Sequence, residues 1–282
     1  MKKLRKSKWK KLCAAAIAVM IIAAGMRISS SVSEIPFFTG SGKSMFSGSD
    51  EIPEGNINLN TLYSPYAVLV DLESGNVLAE QNSAERMYPA SLTKIMTALI
   101  AIEETEDMEQ TTTLPSDIFP SLYEENASLA GFQPGETVIW KDLLYGVMLP
   151  SGAECCLTFA RQIAGSEGAF VDLMNKKAEE LGMNDTHFAN ATGLQDKKHY
   201  STVRDIAVLL RYALENDTFR QVFTARRYSV PPTAYHSEGF TFYNTMFQAM
   251  DNAGISDDDI LGGKTGYTEK AGLCLALSLI HI

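Results

Sequence analysis

Strand-like segments stand near both ends of residues 57–282, and a long helical block separates them. Tyr66 to Asp71 (Y-A-V-L-V-D) and Val77 to Gln81 flank Glu73-Ser74-Gly75-Asn76, a hairpin pattern. Ile260 to Tyr267 and Gly272 to Leu279 repeat it around a Thr268–Ala271 turn, and Phe240 to Tyr243 is a further aromatic, β-branched run. Between them, residues 115–225 carry helical rhythm in Lys141 to Met148, Ala153 to Ile163, Gly168 to Leu181 and Ser201 to Glu215. The last of these opens with a capping pattern that includes Asp205. Strand groups this far apart bury their faces by meeting in one sheet. The expected fold is therefore α+β, an antiparallel sheet built from both chain ends, flanked by helices, with a mainly helical central subdomain.

The first 27 residues read differently. They hold eight of the 24 Lys and Arg and no acid, with seven of those cations ahead of a 15-residue apolar run from Leu12 to Met26. A basic stretch before a short apolar run is the pattern of an export signal, or of a signal anchor if Ala23-Ala24-Gly25 is not cleaved. Residues 28–56 are rich in Ser and Gly and read as a flexible tether, which leaves 57–282 as the folded domain. Without residues 1–27, 16 bases face 34 acids, a net charge near −18 that argues against nucleic acid as a partner. Cys155, Cys156 and Cys274 form neither a disulfide framework nor a zinc spacing and read as buried thiols; His187, His199, His236 and His281 make no metal motif. No cofactor is expected.

Three short motifs carry the chemistry. P-A-S-L-T-K places Ser91 and Lys94 three apart at the start of a helical run, so one face of a helix presents both. With 23 Ser and 15 Lys, roughly one S-x-x-K arises by chance, and Ser7/Lys10 is such a decoy. K-T-G, Lys264-Thr265-Gly266, is far rarer and lies on a strand. It shares G-K-T with phosphate-binding loops, but Asp258 stands where such a loop needs glycine, and Asp257 to Asp259 repel a triphosphate. The third piece, S-G-A (Ser151 to Ala153), follows the helix breaker Pro150. A lysine acts as a base only when its pKa falls, and burial and a second cation, Lys264, both push Lys94 that way.

In this order the motifs resemble those of the penicillin-recognising serine enzymes. Within that group the chain is similar to the low-molecular-weight D-alanyl-D-alanine carboxypeptidases of peptidase family S11. The resemblance is carried by A-V-L-V-D-L-E-S-G-N-V-L, P-A-S-L-T-K-I-M-T-A-L, Leu181 to Leu194 (L-G-M-N-D-T-H-F-A-N-A-T-G-L), H-Y-S-T-V-R-D-I-A and G-G-K-T-G-Y-T-E-K-A-G. It spans about residues 57–279 and implies a β-lactamase/transpeptidase-like fold. By resemblance, Ser91 is the nucleophile and Lys94 its base, and Ser151 relays a proton to the leaving amine. Lys264 and Thr265 bind the substrate carboxylate, Gly266 lets the substrate lie along the strand, and the backbone N–H groups of Ser91 and Tyr267 hold the oxyanion. The implied substrate is a peptidoglycan stem peptide ending in D-Ala-D-Ala, with β-lactams as covalent inhibitors. The implied place is the extracytoplasmic face of a bacterial membrane or the cell wall, with membrane contact through residues 1–27 if uncleaved.

Two features depart from the family pattern. S-x-N ends in an amide, and Ala153 stands in its place; Glu154 is not assigned that role. The chain also stops soon after K-T-G, so the catalytic domain is expected to be incomplete at its C-terminus. Two rivals follow. A class A-like β-lactamase would need a deacylating Glu, for which Glu180 to Asn184 (E-L-G-M-N) is a near fit. A non-catalytic peptidoglycan-binding or sensor protein would explain Ala153.

Overall fold

The computed structural model describes residues 59, 62–105, 107–256 and 258–280, and the backbone of residues 16–22. Its strands are β1 (Ala16–Ile22), β2 (Tyr66–Asp71), β3 (Val77–Gln81), β4 (Thr111–Thr113), β5 (Thr137–Ile139), β6 (Arg227–Val230), β7 (Phe240–Tyr243), β8 (Ile260–Thr268) and β9 (Gly272–Ile280). Its helices are α1 (Lys94–Glu103), α2 (Phe119–Glu124), α3 (Trp140–Met148), α4 (Ala153–Ala164), α5 (Glu167–Glu180), α6 (Val203–Glu215), α7 (Asp217–Phe223) and α8 (Thr245–Ala253).

The main sheet has the order β3-β2-β1-β9-β8 and is antiparallel throughout. The chain ends meet as expected, but through an unexpected strand. Ala16–Ile22 lies between β2 and β9, pairing Met20 with Val68 on one side and with Ala276 on the other. A short apolar run can be a buried strand as readily as a signal core, and periodicity alone does not separate the two. The rest of residues 1–27 and the 28–56 tether lie outside the described residues. β7 does not join the main sheet; it pairs with β6, whose alternating R-Y-S-V is only four residues long and so escapes a reading of the sequence. The short β4 and β5 form another separate ribbon, with β4 just before the block expected to be helical and β5 within it.

Alternation along β9 shows how the layers are divided. Cys274 and Ala276 belong to the large core, whereas Leu275 and Leu277 pack with Met246, Phe247 and Met250 of α8. At the centre of the large core is α1, buried at every residue from Lys94 to Ile102. Its I-M-T-A-L-I-A-I is apolar on all faces, which suits a helix enclosed on all sides. Each fully enclosed Ile or Leu contributes about 1.5–3 kcal/mol, so α1 is a stiff mount for the turn at its start. The expected cap of α6 is present: Thr202 Oγ1 accepts the Asp205 N–H at 3.0 Å. None of the described helices is long and apolar enough to cross a membrane.

Candidate active site

Ser91 lies in a 3-10 turn, Ala90–Thr93, and Lys94 is the first residue of α1. A three-residue turn eclipses positions i and i+3, so Lys94 Nζ reaches Ser91 Oγ at 3.0 Å. Ser91 stays partly open to solvent while Lys94 is buried. The Lys94 amine also donates to the Thr192 carbonyl at 2.5 Å. Burial pushes its pKa below the usual lysine range, offset in part by Cys156, Glu154 and Cys155. A lysine so placed holds a larger neutral fraction and can take a proton from Ser91.

Backbone closes on this turn from two sides. A Cβ added to Gly193, at φ +82°, would fall 2.0 Å from the Ala90 carbonyl oxygen and 3.0 Å from Ser91 N. One added to Gly266 on β8 would fall 2.9 Å from Ser91 N. Glycine at both positions lets the loop and the strand approach the Ser91 amide. Ala90 itself takes the left-handed region, φ +47°, a cost of the kind met where a site fixes its backbone.

Lys264 and Ser151 form the second corner. Ser151 follows Pro150 with φ +68°, and Lys264 Nζ donates to Ser151 Oγ at 2.9 Å and to the Thr265 carbonyl at 2.7 Å. Lys264 is buried on the edge strand β8; burial first, and the Lys94 charge second, hold its pKa well below the lysine range. The two lysines are thus coupled, but enclosure dominates for both; the cation effect expected on Lys94 is seen on Lys264. Ser151 Oγ is bonded to Lys264, where a relay from Lys94 was expected. Thr265 Oγ1 is engaged by Thr245 Oγ1 at 2.6 Å. The Tyr267 side chain is exposed, and any role it has at the turn falls to its backbone beside Gly266.

Ala153 opens α4, is buried, and donates its N–H to the Ser128 carbonyl at 2.8 Å. Glu154 is turned away from the amide's place. Its Oε1 accepts the Ala130 and Gly131 N–H groups at 2.7 and 2.9 Å, while Oε2 is buried without a hydrogen-bond partner. Burial lifts its pKa to about 7. Glu154 therefore braces the Ser128–Gly131 segment beside Ser151 and does not replace an amide. Glu180, the acid of the β-lactamase reading, ends α5 on the surface and pairs with Lys176 and Lys177.

The segment Asn190 to Leu194 (N-A-T-G-L), part of the stretch that carries the family resemblance, was given no site role by the sequence. Asn190 Oδ1 accepts the Thr192 and Gly193 N–H groups, and Thr97 of α1 donates to the Ala191 carbonyl at 2.7 Å. Asn before a Thr-Gly pair is an Asx-turn signal, which marks the turn but not what it touches. Cys155, Cys156 and Cys274 are buried and free, as expected.

The family model of the D-alanyl-D-alanine carboxypeptidases, peptidase S11, matches residues 55–280. D-alanyl-D-alanine carboxypeptidase DacF of Bacillus subtilis is 37% identical over 216 residues, covering 75% of this chain and 53% of its own length. DacA of Escherichia coli is 36% identical over 219 residues, covering 75% and 51%. The chain spans about half the length of the curated relatives it matches. Among solved structures, a Streptomyces DD-transpeptidase superposes with a TM-score of 0.67 at 25% identity, over 75% of this chain and 87% of that one. A D-alanyl-D-alanine carboxypeptidase from Mycobacterium tuberculosis gives 0.63 at 26% identity, over 77% and 82%. With its fold, its motifs and the match over residues 55–280 in agreement, the chain belongs to the D-alanyl-D-alanine carboxypeptidase family, peptidase S11.

Proposed function

We propose that the chain is a serine D-Ala-D-Ala carboxypeptidase acting through an acyl-enzyme on Ser91. The observation that carries this reading is the 3.0 Å contact between Ser91 Oγ and the buried, pKa-lowered Lys94. Neutral Lys94 takes the Ser91 proton as Oγ attacks the penultimate D-Ala carbonyl. The negative oxygen that forms is held by the Ser91 and Tyr267 backbone N–H groups. Collapse breaks the peptide bond, and the terminal D-Ala amine leaves with a proton delivered through Ser151. Water then hydrolyses the Ser91 ester and regenerates the pair. Lys264 and Thr265 draw the substrate's terminal carboxylate to the open edge of β8, where an extended peptide can lie along Gly266.

The substrate is a peptidoglycan stem peptide ending in D-Ala-D-Ala, and β-lactams acylate the same serine. The enzyme acts in cell wall remodelling on the extracytoplasmic side, exported through residues 1–27. Ala16–Ile22 serves as the β1 strand only in the uncleaved chain, so N-terminal sequencing of exported protein decides between cleavage and a retained strand. The function is tested by incubating the protein with a pentapeptide ending in D-Ala-D-Ala and assaying free D-alanine. Release that disappears in Ser91→Ala supports the carboxypeptidase. Fast turnover of penicillin points instead to a β-lactamase, and ligand binding without any acylation points to a sensor.

A further inference from the structure

His199 lies outside all three motifs. It is buried, and its ring joins the two segments that hold Lys94. Its Nδ1 accepts the Ala189 N–H at 3.1 Å, so the neutral ring carries its proton on Nε2, which lies 2.7 Å from Thr93 Oγ1 and donates to it. Thr93 is the residue before Lys94 in the nucleophile's turn. Ala189 begins the stretch that runs through Thr192, whose carbonyl takes the Lys94 amine, and Gly193, which packs on Ala90 and Ser91. Phe188 stacks edge-on against the ring at 5.7 Å and fixes its plane. A histidine that served only the core would satisfy its two nitrogens anywhere nearby. This one spends both on the attachment of Lys94 and on the loop that receives it.

We propose that His199 is a positioning residue: its neutral imidazole locks the Ser91–Lys94 turn to the Ala189–Gly193 loop and so sets the Lys94 amine against Ser91 Oγ. The inference rests on the acyl-enzyme reading of Ser91. The charges that act on the ring are those of Asp196, His187 and Lys94 itself. Those that act on Lys94 are Cys156, Glu154 and Cys155, with Lys264 coupled to it. Only the neutral ring makes both bonds, since a protonated Nδ1 cannot accept from Ala189.

The test is the second-order rate of Ser91 acylation by a fluorescent penicillin, measured across pH in the full chain, with thermal melting as the check on folding. His199→Phe keeps the volume and loses both bonds, whereas His199→Gln places an amide donor near the Nε2 position. Thr93→Val removes the partner and leaves the histidine. The expected result is a fall of about tenfold or more in His199→Phe, partial recovery in His199→Gln, and a displaced midpoint of the pH–rate curve because the lysine amine is no longer pinned. Thr93→Val shifts the curve in the same direction, and its effect does not add to that of His199→Phe. Folded variants that keep the wild-type rate and midpoint overturn the proposal and leave His199 a core residue. A wild-type chain that forms no Ser91 adduct overturns the acyl-enzyme reading first, and this inference with it.

Discussion

The two corners of the site are held in different ways. Around Ser91 and Lys94, hydrogen bonds converge from α1, the Ala189–Gly193 loop and His199, and two glycines let backbone close on the serine's amide. Around Ser151 a small side chain, Ala153, stands where the family has an amide, and the neighbouring Glu154 keeps one buried oxygen without a partner. On the proposed mechanism the first corner does the bond-making and has little tolerance. By the same proposed mechanism the second corner orients substrate and passes the leaving-group proton, so a lost contact there weakens binding or slows departure without removing Ser91. Substitutions at the two corners should therefore fall into distinct classes of effect.

The largest effect is expected at the first corner. Lys94→Met removes the proposed base and should slow acylation of Ser91 by about 10²–10⁴-fold, measured by penicillin labelling, with the fold intact by circular dichroism. Next comes Gly193→Ala, which places a methyl group 2.0 Å from the Ala90 carbonyl at a left-handed backbone position. The turn must shift, at a cost on the order of 3 kcal/mol, visible as a lower denaturation midpoint together with slower acylation.

Opposite pH slopes sharpen the comparison further. Burial raises the Glu154 pKa to about 7 from its ordinary 4.5, so its protonated form favours the fold. That contribution is full below 4.5 and is lost as pH rises through about 7, a change on the order of 3 kcal/mol. His199 is held down to about 4 from 6.5, so its contribution is full above 6.5 and is lost as pH falls toward 4. Denaturation curves should show Glu154→Gln flattening the first slope only and His199→Gln the second only. The smallest effect is expected from Ala153→Asn. An amide restored beside Ser151 should raise kcat/KM for a D-Ala-D-Ala peptide by about 2–10-fold, the value of one hydrogen bond, and leave the pH midpoint unchanged.

Much of this architecture could be read from the residues. The β2–β3 hairpin, the apolar α1, the capped α6 and the β8–β9 pair all follow from local periodicity and turn chemistry, and S-x-x-K with K-T-G located both lysines. The unread parts are contacts between distant segments. No local pattern says that Gly193 presses on Ala90, that Thr192 receives Lys94 from 98 residues away, or that His199 reaches Thr93 from 106. The strand at Ala16–Ile22 was missed because its apolar run fits an export signal equally well. β6 was missed because its alternating run, R-Y-S-V, is only four residues long.

The central claim is that Ser91, activated by Lys94, is the acylated nucleophile. Peptide mapping by mass spectrometry after brief exposure to penicillin tests it most directly. The expected result is a single adduct on the peptide containing Ser91, absent in Ser91→Ala and strongly slowed in Lys94→Met. An adduct on any other residue, or one that forms at the wild-type rate without Lys94, would contradict the account.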